Sequence, residues 1–228
     1  MSAVLDLLER PTYTMAQVDR LLGLPSGTAR RWIDGYARSG KTYPPIVREE
    51  RTGEEYATWG EFVETRLLSE FRTEGVPIIN MRPAIRTLRA ETGSRYPLAH
   101  SANLITTVGR ELVKRVQDEV NLDKALQLVV IRNGQYMLTT PAEIYVNAVQ
   151  FNEEGDAVRM YPDPELREIV IDPLRAFGEP VVRDRSVPTE VIAEQVRAGD
   201  SEEMIADLYE LSPEQVRAAV LFEQRRSA

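Results

Sequence analysis

The 228-residue chain has no cysteine and a single histidine, His100. The first absence excludes disulfides, thiolate nucleophiles and every cysteine-based zinc site. The second leaves histidine-paired nucleophilic chemistry with one residue to use, and His100 sits after Tyr96-Pro97-Leu98-Ala99, where a surface or packing role is the plain reading. No apolar run approaches the ~18 residues that cross a bilayer. Met1 to Pro11 lacks a basic start followed by an apolar stretch, so a cytoplasmic setting with no membrane partner is expected. Neither a Walker loop nor a dinucleotide fingerprint occurs, and no cofactor or metal is expected. A general basic excess is missing too. The net charge is −8, which argues against a nucleic-acid coat.

The charge is unevenly spread. Residues 1–100 hold 14 Lys+Arg and 13 Asp+Glu, a net of +1; residues 101–228 hold 14 and 23, a net of −9. The first half can approach DNA, whereas the remainder as a whole is repelled by it. This fits a protein with DNA at one end and a protein partner at the other. It also fits acidity that only maintains solubility.

Residues 13–62 carry the strongest pattern. Thr14 suits an N-cap, and Ala16, Val18, Leu21 and Leu22 recur at helical spacing. Gly23 ends that helix and Pro25 prevents its continuation. Ser26 is read as the cap of a second helix, which offers Thr28, Arg30 and Arg31 outward and turns Ala29, Trp32 and Ile33 inward. A short helix of this kind fits the major groove. Beyond a loop at Ser39-Gly40, Ile46-Val47-Arg48 and Glu55-Tyr56-Ala57 are read as a hairpin wing around Thr52-Gly53. Four glutamates there fit poorly against phosphate, which leaves Arg48 and Arg51 as its DNA candidates. The expected DNA-binding set is therefore Ser26, Thr28, Arg30, Arg31, Arg48 and Arg51.

Thr58-Trp59-Gly60-Glu61 is a capping box. It opens a helix with Phe62, Val63, Leu67, Leu68 and Phe71 on one face, with Trp59 and Phe62 in the core. A further helix is expected at about 79–91. The next stretch changes character: a hairpin around Gly109, a helix over 122–130, a hairpin turning at Glu154-Gly155 and a strand at Ile169-Val170-Ile171. Asp163, Glu165, Glu168 and Asp172 form an acidic cluster best read as a solvated face. Three helices follow, the last opened by Ser212-Pro213-Glu214-Gln215. The predicted tail core is Val191, Ile205, Leu208, Val216 and Val220. The fold class is α+β, mainly α. Its parts are a winged helix-turn-helix (1–96), a small mixed β/α middle region (97–174) and a three-helix C-terminal domain (175–228).

Two resemblances attach to these motifs. Tyr13-Thr14, Ala16, Leu21-Leu22-Gly23-Leu24, Ser26, Thr28, Arg30 and Trp32 resemble the MerR-type winged helix-turn-helix, in which the position of Arg30 contacts DNA. The chain lacks that family's long dimerising coiled coil and cysteine sensor. Phe177-Gly178-Glu179-Pro180-Val181-Val182-Arg183-Asp184-Arg185-Ser186-Val187-Pro188-Thr189 resembles a small antitoxin-associated domain with the pattern F-G-x-P-x-V-x-G-T-R-V-P-T. Asp184-Arg185-Ser186 departs from its G-T-R. Together the head and tail resemble VapB-type antitoxins. That resemblance implies a non-enzymatic protein that neutralises a PIN-domain ribonuclease toxin and represses its own operon, with operator DNA and the toxin as partners; a homodimer is expected because one short recognition helix covers too few bases. An arginine directed at the toxin's metal-binding carboxylates would come from Arg183, Arg185, Arg225 or Arg226. A plain DNA-binding regulator without a toxin, and a small acidic hydrolase holding magnesium, are the competing classes.

Overall fold

The computed structural model describes residues 7–227. The chain packs as two compact units, residues 1–157 and residues 158–228. The spacing of Val4, Leu5, Leu7 and Leu8 predicts a short amphipathic helix over residues 2–9, part of which lies outside the described residues; Leu7–Glu9 form a 3-10 turn with Leu8 buried.

In the first unit β1 (Pro11–Thr14) leads into α1 (Met15–Leu21) and α2 (Thr28–Ile33). The hairpin β2 (Tyr36–Arg38) and β3 (Lys41–Tyr43) follows, and then β4 (Tyr56–Thr58), which pairs antiparallel with β1 through Tyr13↔Ala57 and Thr14↔Tyr56. The expected wing is thus corrected. Ile46, Val47 and Arg48 form no strand; they are buried and cross beneath α2, where the Ile46 and Val47 N–H groups donate to Trp32 O at 2.8 and 3.0 Å. The hairpin lies earlier, at Ser39-Gly40.

Next come α3 (Trp59–Glu70) and α4 (Arg82–Thr92), the latter ending at Gly93 in a left-handed conformation. The expected capping box of Thr58 with Glu61 forms, and Thr14, expected as an N-cap, makes a second box with Gln17. Trp59, Phe62 and Tyr13 are fully buried, with Tyr13 and Phe62 ring centroids 4.5 Å apart.

The stretch around Gly109 is helical, not a hairpin. It comprises α5 (Ala102–Ile105) and α6 (Thr107–Glu119), with Thr106 as N-cap between them. Gly109 is required by close approach: a Cβ there would stand 1.8 Å from Ala102 O. The helix expected over 122–130 is also corrected, since only Lys124–Leu126 make a 3-10 turn before the hairpin of β5 (Val129–Arg132) and β6 (Gln135–Leu138). Val129, Val130 and Ile131 are β-branched, and β-branched residues pack well on a pleated surface. The unit closes with α7 (Thr140–Ala148) and β7 (Val149–Phe151), followed by a turn in which Asn152 N–H donates to Asp156 O at 3.0 Å.

The second unit contains three antiparallel strands in the order β10-β9-β8, namely β8 (Ala157–Met160), β9 (Ile169–Ile171) and β10 (Pro180–Val182). They are followed by α8 (Thr189–Ala198), α9 (Glu202–Tyr209) and α10 (Pro213–Ser227). Ile169, Val182, Ile192, Ile205, Val216, Ala219 and Phe222 build one core. Ser212 and Gln215 exchange capping bonds at the start of α10, as the sequence implies. The predicted core needs correction at three places. Leu208 is 63% exposed, and Val191 and Val220 are only half-buried. On the short α9 the apolar residues occupy two faces. Ile205 and Ala206 turn inward, while Met204 and Leu208, one turn apart, turn out.

Candidate nucleic-acid interface and partner-binding tail

The helix-turn-helix is held by a carboxylate from its first helix. Asp19 is buried and accepts from the Gly27 N–H at 2.6 Å and the Ala29 N–H at 2.7 Å. It thereby satisfies two donors at the start of α2 that have no partner within the helix. Ser26, expected to be this cap, is exposed, and the N-cap position is Gly27 at φ 76°. Thr28 is buried, and its hydroxyl accepts from Arg31 Nη2 at 2.9 Å. The outward face of α2 thus consists of Arg30 and Arg31. Arg30 is ion-paired with Glu55.

Arg48 is not on this face. Its side chain is 3% exposed and is surrounded by acceptors: Nε and Nη2 on Glu61 (2.7 and 3.0 Å), Nη1 on Asp34 (3.0 Å) and Thr52 Oγ1 (2.5 Å), Nη2 on Tyr56 O (2.8 Å). Burial works against its charge, but Glu61 and Asp34 outweigh burial and hold its pKa above the ordinary arginine value. Arg48 therefore joins the end of α2 to the start of α3 and has no donor left for phosphate. Asp34 receives further bonds from the Thr52 and Gly53 N–H groups. Burial raises its pKa, yet these donors and Arg48 bring it below the usual carboxylate value. Arg51 is half-exposed, 3.7 Å from the same carboxylate.

Sequence reasoning missed the hairpin β2–β3. Ser39 (φ 52°) and Gly40 (φ 74°) both take positive φ, the form a two-residue hairpin loop needs. Gly35 aims it: a Cβ there would meet Tyr43 O at 2.5 Å, so only glycine lets the chain leave α2 in this direction. The Tyr36 and Tyr43 rings stack at 4.5 Å and 6° across the pair, with Lys41 Nζ 5.4 Å from the Tyr43 centroid. Arg38 and Lys41 flank the tip and are exposed. The signal was present in the sequence: Tyr-Ala-Arg and Lys-Thr-Tyr mirror each other about Ser-Gly. At the hairpin's base Arg82 Nε donates to Pro45 O at 2.6 Å. Burial and the neighbouring Arg86 both depress Arg82.

These cations fall into two groups. Arg30, Arg48, Arg51 and Arg89 have carboxylates within 4.0 Å. Arg31, Arg38, Lys41, Arg82 and Arg86 have no carboxylate partner among the described residues. Only the second group presents uncompensated positive charge.

In the tail the four candidate arginines are each paired. Arg183 meets Glu168 at 2.7 Å, Arg185 meets Glu210 at 3.4 Å, and Arg225 meets Asp163 at 2.7 Å and Glu165 at 3.0 Å. Arg226 meets Glu223 at 3.1 Å and lies over the Phe222 ring. Asp172 pairs with Arg159 and Arg175, so the acids of the cluster are distributed among arginines. Among the described residues no group of three or more acids or histidines could hold a metal ion. Asp184 replaces a glycine of the antitoxin-associated pattern and takes φ 63°. Aspartate tolerates the left-handed region better than most residues.

Comparison with known proteins bears on both ends of the chain. Residues 11–85 match a family described as "Putative DNA-binding HTH domain", and residues 169–222 match "Protein of unknown function (DUF433)". Rv2308 of Mycobacterium tuberculosis, an uncharacterized protein, is 41% identical over 222 residues, 96% of this chain and 92% of that protein. A second protein of that organism, named "Putative antitoxin VapB45", is 30% identical over 225 residues, 92% of each chain. The crystal structure of Rv2018 from Mycobacterium tuberculosis aligns with a TM-score of 0.76 at 27% identity, covering 94% of this chain and 100% of that one. With a helix-turn-helix head and this degree of identity along most of its length, the chain belongs to the family of Rv2308 and VapB45.

Proposed function

We propose that this protein is the antitoxin of a type II toxin–antitoxin pair: its head binds operator DNA as an autorepressor, and its tail neutralises a PIN-domain ribonuclease. The observation that carries the reading is the pairing of a helix-turn-helix with the near-full-length similarity to VapB45. The head works as a MerR-like winged module in this proposal. α2 enters the major groove with Arg30 and Arg31, and the β2–β3 hairpin serves as the wing with Arg38 and Lys41 on phosphate. Arg82 and Arg86 extend the same track. Two copies act together, because one six-residue helix covers too few bases for specific binding.

Glu55 is the built-in competitor of DNA for Arg30, and a phosphate or a guanine edge must displace it. Arg31 has no such competitor. Arg31→Ala should therefore weaken operator binding by about 1–3 kcal/mol. Arg38→Ala/Lys41→Ala should lower the salt dependence by about 0.9 per lost phosphate contact. Fluorescence anisotropy on the DNA upstream of the gene, at several salt concentrations, measures both. Wild-type affinity and slope in all three substitutions overturn the assignment of this face. The toxin half is tested by co-expression with the product of the adjacent gene and co-purification. A PIN-domain partner that is not retained, and whose toxicity is not relieved, refutes the antitoxin reading.

A further inference from the structure

The turn before β10 holds a conformation that core packing does not explain. Ala176, Phe177 and Gly178 take positive φ in succession, at 43°, 56° and 78°. Glycine enters this region freely, whereas a Cβ is strained in it. The turn is nonetheless fully tied. The Arg175 N–H donates to Asp172 O at 3.0 Å, the Gly178 N–H to Arg175 O at 2.8 Å, and the Glu179 N–H to Ala176 O at 3.0 Å. Beneath it Asp172, 3% exposed, accepts from Arg159 Nε at 2.8 Å and from the Leu174 N–H at 2.9 Å.

The product of this scaffolding is a phenylalanine held in water. Phe177 is 92% exposed, the highest value among the large apolar residues described, and Leu174 beside it is 65% exposed. A single exposed apolar residue on ordinary backbone needs no explanation. One fixed on strained and over-determined backbone does, because the strain persists only where the surroundings enforce it. Next to the ring lies a groove of about 500 Å³ formed with Pro180, Pro188 and Val191 and edged by Glu190 and Glu194. Those two glutamates have no ion-pair partner among the described residues.

We propose that the Phe177 turn and its groove dock a basic protein partner, with Phe177 and Leu174 entering an apolar pocket while lysines or arginines on that pocket's rim meet Glu190 and Glu194. The charge selects the occupant. Residues 158–228 hold 9 Lys+Arg against 15 Asp+Glu, a net of −6. A second copy applied two-fold at this face would set carboxylates against carboxylates. A basic partner gains from the same field, and a buried aromatic anchor is the commonest centre of such an interface. The inference rests on the antitoxin reading in one respect, since the basic partner is identified with the toxin.

The test uses the full-length chain and the adjacent gene's product, co-purified and then measured by surface binding kinetics. Phe177→Ser should weaken the complex at least tenfold, chiefly by faster dissociation. Glu190→Lys/Glu194→Lys should slow association at least tenfold at low salt and less at high salt. Melting temperature and operator affinity should stay at wild type in both, since these side chains reach solvent. Undiminished toxin affinity in either variant overturns this inference and leaves the antitoxin reading standing. Light scattering that shows either variant to have a smaller assembly size than wild type also overturns it, because the occupant is then a second copy. No complex with the wild type refutes the antitoxin reading itself and this inference with it.

Discussion

Removing the Arg48 guanidinium separates a structural role from a DNA-contacting one. Arg48→Met keeps the length and apolar stem of the side chain and deletes five donor contacts. It leaves the Asp34 and Glu61 carboxylates, 0% and 1% exposed, without their cation. Breaking a buried ion pair from one side costs about 3–5 kcal/mol. Here the low end applies. Asp34 keeps N–H donors from Thr52 and Gly53, and Glu61 keeps the Thr58 N–H at 2.9 Å. The expected loss is about 3 kcal/mol, a large share of the roughly 5–15 kcal/mol that holds a typical domain together.

Urea denaturation followed by tryptophan fluorescence measures this cleanly, because both tryptophans, Trp32 and Trp59, lie in the first unit. The midpoint should fall with an unchanged slope. Adding Glu61→Gln to Arg48→Met should restore about 1–2 kcal/mol, since it removes an uncompensated charge and glutamine still serves the capping box. A phosphate contact would behave differently: stability would hold and the salt slope of DNA binding would drop. A loss below about 1 kcal/mol together with weakened operator binding returns Arg48 to the DNA face and refutes the reasoning.

Three other outcomes are expected. Burial lifts Glu64 to about 7 against the Leu98 N–H bond and Arg89; since this exceeds its unfolded value of 4.5, its contribution is full below pH 4.5 and is lost as pH rises through about 7. Glu64→Gln, which can still accept from Leu98, should flatten that loss of roughly 3 kcal/mol, read as urea midpoints at pH 5 and 8. In the tail, Ile205→Ala should cost about 2–5 kcal/mol and Leu208→Ala within about 0.5 kcal/mol; equal costs in calorimetry would contradict the assignment of the α9 faces. Phe177→Gly relieves a strained Cβ and loosens the unfolded chain, so a net gain of about 0.5–1 kcal/mol is expected, and a lowered melting temperature argues against strain at this turn.

Much of the fold was legible because it is encoded locally. The Thr14 N-cap and the Thr58 and Ser212 capping boxes each need only a few consecutive residues, and all three mark helix starts in the structure. The helices of the tail and the strand at Ile169–Ile171 were legible for the same reason. Where local signals were weak, the reading failed. Thr106-Thr107-Val108-Gly109-Arg110 has the composition of a hairpin, but Gly109 serves a helix-to-helix approach that depends on Ala102, seven residues away. Met204, Ile205 and Leu208 all qualify as core by hydropathy, and only the partner surfaces of α8 and α10 choose between the two faces of α9.

The candidate site was less legible, and charge is the reason. Arg31 and Arg48 look alike in sequence: each is an arginine near a polar turn. Their difference arises from Asp34 and Glu61, which reach Arg48 across 14 and 13 residues and make it part of the core. Three of the four glutamates that fit poorly beside a wing also meet arginines: Glu49 meets Arg89, Glu54 meets Arg48 and Glu55 meets Arg30. Glu61 and Asp34 serve Arg48, Glu55 serves Arg30, and Asp19 caps α2. Once these acids are assigned, the cations of α2, the hairpin and α4 without a carboxylate partner among the described residues are Arg31, Arg38, Lys41, Arg82 and Arg86, and the hairpin that carries two of them is the element displaced in the sequence reading. Net charge per segment could not reveal this, because a compensated arginine counts as much as a free one in the sum while only the free one creates a field outside the protein.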